Sequence, residues 1–449
     1  MSDLVTAAEV AGVLSAAGGL GYAKVRAPRV WWSLVGLPVT RVRFALTYES
    51  TMDVCGLTVQ PTRARAALLR ATRKEVLPVP PRVRRVRMTS TGLRVTLRLA
   101  AGLEPADLVA ASARLRHAFG VYSIVVVDTK PGLVELRMTG YDVLRRVRMP
   151  RILHRPRTGG PLMVPVALRE DGGVFVRNYL RIPHALTLGA NQSGKSMYQR
   201  NLIRGLASRD VALVGIDCKR GVEQIRFVSR FSAFATDPET AAGLLDALVG
   251  EMEDRFDLLS LHQVSDLWEL PEDARPVPVV VFVDEVAELF LTSAKADEDR
   301  RDRMVKQLIR LAQMARAVGI YLEICGQRFG SELGRGATML RAQLTGRVCH
   351  RVNDKQTAEM GLGDISPEAM VAATQIRADR PGLAVAGDAS GGWSRIRTPK
   401  VTTDETAAAC RRYAYLTPDL PALAAFRPPA VSPGPGDALP LDKSRPVAD

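Results

Sequence analysis

"TLGANQSGKSMYQ", residues 187–199, decides how this chain folds. A β-favouring stretch runs into Gly189, four residues, and then Gly194-Lys195-Ser196, after which the spacing reads as a helix. The glycines let the backbone curl, so that the loop Gly189, Ala190, Asn191, Gln192, Ser193, Gly194, Lys195 and Ser196 turns successive N–H groups toward phosphate oxygens at a helix N-terminus. Lys195 then reaches the β- and γ-phosphates of a nucleotide, and the Ser196 hydroxyl ligates Mg²⁺. As a bare expression the motif also arises by chance. The strand before it and the helix after it supply the context that the chemistry requires.

A second signature is "VVVFVDE", residues 279–285. Its unbroken β-branched and aromatic run implies a strand buried on both faces, hence a parallel sheet covered by helices. Asp284 and Glu285 end that strand, facing the crevice of the phosphate loop. Asp284 is expected to hold Mg²⁺ through water, and Glu285 to orient and deprotonate the attacking water. The second acid argues against a small-molecule kinase, because activated water competes with the acceptor. Gln327 closes "EICGQR" (323–328), where a neutral amide senses the γ-phosphate or merely caps the strand. Arg328 and Arg347 are candidates for a finger that neutralises transition-state charge, worth roughly 10³ to 10⁵ in rate. A surface ion pair is the plain alternative for each.

Around these motifs the pattern divides. Residues 1–81 read as a basic N-terminal region with short helices, including a basic helix over 60–76 and the extended connector "LPVPP" at 77–81. Residues 82–160 read as a small α+β subdomain and basic linker: "GLRVTLRL" alternates with period two, "EPADLVAASARLRHAFG" has helical spacing, and "SIVVVDT" and "GLVELRM" alternate again. Over 161–427 strands are expected at 184–189, 211–217, 277–285, 319–327 and 346–352, with a covering helix through 304–315. A Pro-rich disordered tail is expected over 428–449. The fold class is α/β, a mainly parallel sheet preceded by a small α+β unit.

Charge separates the chain more sharply than composition does. Residues 1–160 carry 26 Lys+Arg against 10 Asp+Glu, and the remainder 36 against 37, so the whole excess of +15 sits upstream of the phosphate loop. That asymmetry points to an anionic partner, nucleic acid or a membrane surface. Aromatics make up 5% of the chain, which argues against extended base stacking. The five cysteines have no ligand spacing and read as core residues of a reducing compartment, and the histidines form no metal cluster. The most apolar N-terminal run, 30–39, is half the length of a spanning helix, so neither a transmembrane segment nor a signal peptide is expected. The adjacent Trp31 and Trp32 read as a buried aromatic pair, with an interfacial contact as the alternative.

The motifs together resemble the FtsK/SpoIIIE family of double-stranded-DNA translocases. The residues carrying the resemblance are 181–196, 215–223, 235–259, 278–289, 308–328 and 379–387, in the family's order, with the "EMEDRF" helix and "LAQMARAVGI" more specific than the phosphate loop. The basic version is most similar to the actinobacterial plasmid-transfer members. This resemblance implies a RecA-like P-loop ATPase core, ATP and Mg²⁺, a homo-hexameric ring, and duplex DNA threaded through it by loops such as 330–343 with Arg335 and Arg341. It implies a cytoplasmic protein, with peripheral contact at the inner face of the membrane or with membrane-bound transfer proteins. A secretion ATPase and a chromosome-partitioning ATPase are the alternatives. The chain departs from the family at Gly326-Gln327-Arg328-Phe329, where T-Q-R-P is usual, and the segment after 402 is too short for the sequence-reading winged helix of many members.

Overall fold

The computed structural model describes residues 27–61, 77–145, 147, 149, 162–292, 295–330, 333, 334, 336–387 and 392–429. Residues 62–76 of the basic helix expected over 60–76, most of the 145–157 linker, Arg335 and the tail from 430 lie outside the described residues. The chain divides into two compact units, residues 1–146 with 169–173, and residues 147–168 with 174–449.

The first unit is a four-stranded antiparallel sheet: β1 (Arg82–Met88), β2 (Gly92–Arg98), β3 (Ser123–Lys130) and β4 (Leu133–Thr139), in the order β1-β2-β4-β3. Helix α1 (Leu37–Val54) and helix α2 (Pro105–Phe119) share its core. The ends of α2 follow from sequence. A reciprocal capping box joins Glu104 and Asp107, Pro105 opens the first turn, and Gly120 closes the helix in the left-handed region at φ 65°. Trp32 is buried, in a π-helical turn (Trp32–Gly36) preceding α1. It packs so closely over Gly140 that a Cβ there would strike the indole. The sequence reading missed β1, because a bulge between Val83 and Arg85 breaks the period-two pattern and four of its seven residues are arginine.

The second unit is built on ten strands. The motif strands are β7 (Ala185–Leu188), β8 (Ala212–Ile216), β10 (Val279–Val283), β11 (Ile320–Gly326) and β12 (Gly346–His350), each inside its expected window. The hairpin β5 (Met163–Arg169) and β6 (Val174–Asn178), together with β9 (Phe231–Ala235), β13 (Leu383–Gly387) and β14 (Trp393–Arg397), were not expected. The spatial order is β6-β5-β14-β13-β12-β7-β11-β10-β8-β9. From β12 to β9 every pairing is parallel, while β13 and β14 continue the sheet antiparallel.

Burial on both faces is visible residue by residue. Val279, Val281 and Val283 join one core cluster, under helix α4 (Pro238–Leu261) and helix α5 (Lys295–Met314). Val280 and Phe282 join the other, under helix α3 (Lys195–Ala207). Asp237 caps α4 by accepting from the Thr240 N–H at 2.9 Å. Within α4, buried Arg255 bonds Glu251 at 2.8 Å and donates to the carbonyls of Val318 and Val277, both at 3.0 Å. It thereby ties the helix to the chain entering β10 and β11, which accounts for the arginine of the EMEDRF segment.

One charged pair lies deep in this unit. Arg177 on β6 bonds Glu323 on β11 at 2.6 Å, with both side chains nearly inaccessible and Arg177 also donating to the Ile182 carbonyl. Its guanidinium lies 4.3 Å from the Tyr179 ring centroid. Removing one partner strands the other charge away from water. Arg177→Ala should therefore lower unfolding free energy by about 3–5 kcal/mol, read by denaturant titration. Among the described residues, no helix is long and apolar enough to cross a membrane.

Candidate active site

The order of strands assembles the site. The sensor strand β11 lies between β7, which feeds the phosphate loop, and β10, which ends at Asp284 and Glu285. Gln327 therefore emerges between the two motifs, although it follows both in sequence.

The loop has the conformation its glycines allow. Gly194 adopts φ 113° and a Cβ there would run into the backbone of Gly382, while one at Gly189 would come within 2.7 Å of His350 Cβ. Gln192 also takes a positive φ, 59°. Neighbouring segments brace the loop: the Ala190 N–H donates to the Arg351 carbonyl at 2.8 Å, Arg351 to the Asn191 carbonyl at 3.2 Å, and the Gly382 N–H to the Ser193 carbonyl at 2.8 Å. Lys195 opens α3 and donates to the Gly189 carbonyl. Burial pulls its pKa down, and the charges of Glu285, Cys325 and Asp284 pull the other way. His350, behind the loop, is pushed down to about 3 by burial and by Lys195, so it packs as a neutral ring.

A phosphate fits this cradle. The first N–H groups of α3 have no intrahelical acceptor, Lys195 adds a cation, and the buried Ser193 hydroxyl has no hydrogen-bond partner. Ser196 stands in the first turn of the same helix. Across the crevice, Asp284 is pushed up to about 7, chiefly by burial and then by Asp217 and Glu223. A carboxylate so crowded by like charge is a place for a cation. No group of three His, Cys, Asp or Glu among the described residues is placed to hold a metal alone.

Glu285 is buried and held at both oxygens. Its Oε1 accepts the Gln327 backbone N–H at 3.1 Å, and its Oε2 lies 3.5 Å from Lys219 Nζ. Lys219 lies in the segment 215–223, "GIDCKRGVE", which carries part of the family resemblance but gave this lysine no role. Its position depends on the loop after β8. There Asp217 accepts the N–H groups of Lys219, Glu223 and Gln224 at 3.2, 2.9 and 3.2 Å, and Arg220 and Gly221 both take positive φ. The legible signal was an acid directly after a buried strand with a lysine two residues on.

The structure brings Lys195, Ser196, Asp284, Glu285 and Gln327 to neighbouring strand ends. The two finger candidates are engaged elsewhere. Arg347 is buried, bonding the Arg341 carbonyl at 2.9 Å and Asp364 at 3.2 Å. Arg328 is half-exposed, 3.2 Å from Gln356 Oε1 and 3.6 Å from Asp354.

Residues 16–140 match the actinomycete conjugal transfer protein N-terminal domain, and residues 144–331 match the FtsK/SpoIIIE family. The chain is 55% identical to "Transfer protein TraSA" of Streptomyces ambofaciens, across 90% of this chain and 100% of that protein. It is 68% identical to a "Sporulation regulatory protein" of Streptomyces azureus, across 60% of this chain and 89% of that one. A solved structure, the pCW3 conjugation coupling protein TcpA in monomer form with ATPgS, superimposes with a TM-score of 0.52 at 18% identity, covering 73% of this chain and 90% of that one, which speaks to the fold alone. With the phosphate loop and the DE strand end inside the residues matched to FtsK/SpoIIIE, and a transfer-protein relative matched over nine-tenths of the sequence, the chain belongs to the FtsK/SpoIIIE family of P-loop ATPases, with the N-terminal domain of actinomycete conjugal transfer proteins.

Proposed function

We propose that this chain is an ATP-driven motor that moves double-stranded DNA through a homo-hexameric ring during conjugative transfer of a plasmid or integrated element. The observation that carries the reading is the setting of Glu285: a buried carboxylate, fixed by the Gln327 backbone N–H and Lys219, one strand away from the phosphate loop. The relatedness to a transfer protein over nine-tenths of the chain supports the biological setting.

In this reading the motor occupies residues 161–427, and its own side chains divide the work. The loop from Gly189 to Ser196 binds the triphosphate through backbone N–H groups, and Lys195 neutralises its terminal charge. Ser196 and Asp284 would hold Mg²⁺, which would neutralise phosphate charge. Glu285 takes the proton of the attacking water, and Gln327 reports the state of the site along β11. Of the two finger candidates, Arg328 is the freer to cross to a neighbouring subunit, because its partners are themselves exposed. The 330–343 segment, expected as a loop but helical over Ala337–Gln343, touches DNA phosphates rather than bases through Arg341 and Arg335, since phosphates recur at every step. The ring works on the cytoplasmic side, with any membrane contact peripheral.

The test is the ATPase rate with and without duplex DNA over a salt titration, beside sizing of the assembly in ATP. Duplex DNA should stimulate turnover. The stimulation should fall as salt rises, with log binding constant against log salt sloping at roughly −0.9 per phosphate neutralised. Equal rates with and without duplex, and a single subunit at saturating nucleotide, would refute the motor.

A further inference from the structure

The sheet of the first unit has a face on which the motor reading places nothing. Val83, Val86, Leu93, Val95 and Leu97 point into the core with α1 and α2, so the residues alternating with them stand on the opposite side. Register sets Arg82 opposite Arg98, Arg85 opposite Thr96 and Arg87 opposite Arg94. Arg82, Arg85, Arg87 and Arg98 are exposed and Arg94 is half-buried. Among the described residues none of these five has an acidic partner. Glu135 and Asp171 are instead both engaged by Arg137 of β4, each at 2.7 Å.

Such a face works against its own sheet. Like charges directly opposite one another on neighbouring strands are destabilising, and two of these cross-strand pairs are arginine on arginine. Edge protection explains charge on β1, which is an edge strand. It does not explain Arg94 and Arg98, which lie on β2, paired on both sides. An anion that neutralises the face resolves the conflict.

We propose that this arginine face is a second duplex-DNA surface, carried on the first unit and gripping the phosphate backbone; the proposal rests on the motor reading above. Arginines two residues apart on a strand repeat every ~6.8 Å, presenting a row of guanidinium groups suited to bidentate phosphate contacts. Strands β1 to β4 contain no aromatic residue. The face therefore has no platform on which bases of a single strand could stack, and phosphate contact without base readout remains. A lipid surface fits less well, because a membrane-binding face combines charge with inserted apolar side chains. The exposed apolar residues Leu34, Val42 and Leu46 belong to the helical segment through α1, not to this face.

The experiment uses the full chain with a duplex of random sequence. The triple variant Arg85→Gln, Arg87→Gln, Arg94→Gln should bind duplex at least ~10-fold more weakly at 0.1 M salt, with a log–log salt slope shallower by about 2.7. Its ATPase rate without DNA should be unchanged. A wild-type affinity and slope in the triple variant would overturn the face and leave the motor reading standing. Wild-type protein indifferent to duplex would count against the motor itself. Lost binding to phosphatidylglycerol vesicles, with duplex binding intact, would overturn the proposal in favour of a lipid surface. Should the triple variant not fold, Arg87→Glu alone carries the same slope test.

Discussion

Glu285→Gln should leave nucleotide bound and slow hydrolysis by roughly 10² to 10⁴-fold, the usual contribution of a positioned general base. The amide has the same shape, and its oxygen still accepts the Gln327 N–H that holds the carboxylate at 3.1 Å in the wild type. What it cannot do is take a proton from water. The pairing with Lys219, at 3.5 Å, is lost, but the lysine side chain is partly exposed and keeps water as a partner, so the fold should survive the change. Single-turnover kinetics and nucleotide titration separate the two effects. The dissociation constant for ATP should stay within about threefold while kcat collapses. A variant with normal turnover would remove Glu285 from the role of base and return Asp284 to consideration.

Lys195→Ala should act on the other side of that division, weakening nucleotide binding itself. The lysine caps a loop whose remaining contributions are backbone N–H groups, and it faces a crevice that also holds Asp284 and Glu285. Without the ammonium, an incoming triphosphate meets those carboxylates with one fewer cation to offset them. Truncating one partner of a buried, hydrogen-bonded charge pair costs about 2–5 kcal/mol, so affinity should fall by at least ~30-fold. Equilibrium binding of a fluorescent ATP analogue measures this directly. Unchanged affinity would mean that the loop binds phosphate through its backbone alone. Because α3 begins at Lys195 and alanine is a strong helix former, the fold should survive the change.

Much of the motor was legible locally. The phosphate loop, the DE strand end and the five motif strands each rest on a few consecutive residues whose period or glycine placement has one physical reading. Val279 to Val283 had to be buried on both sides because no polar residue interrupts them, and the two core clusters divide that run between them. Where sequence and structure part, a local pattern was broken or a partner was distant. The bulge in β1 hid a strand, and the short hairpin β5–β6 and the antiparallel pair β13–β14 lacked a period long enough to stand out.

What the chain dictates by itself is the inventory: which segments extend, which coil, and which side chains have the chemistry to bind a triphosphate and activate water. What only the tertiary structure decided is adjacency. The insertion of β11 between β7 and β10 brings Gln327 to Glu285, and the Asp217-pinned loop after β8 sets Lys219 against the same carboxylate. Strand order depends on crossovers packing distant helices onto both faces of the sheet. That balance belongs to the whole core, and no window of sequence contains it.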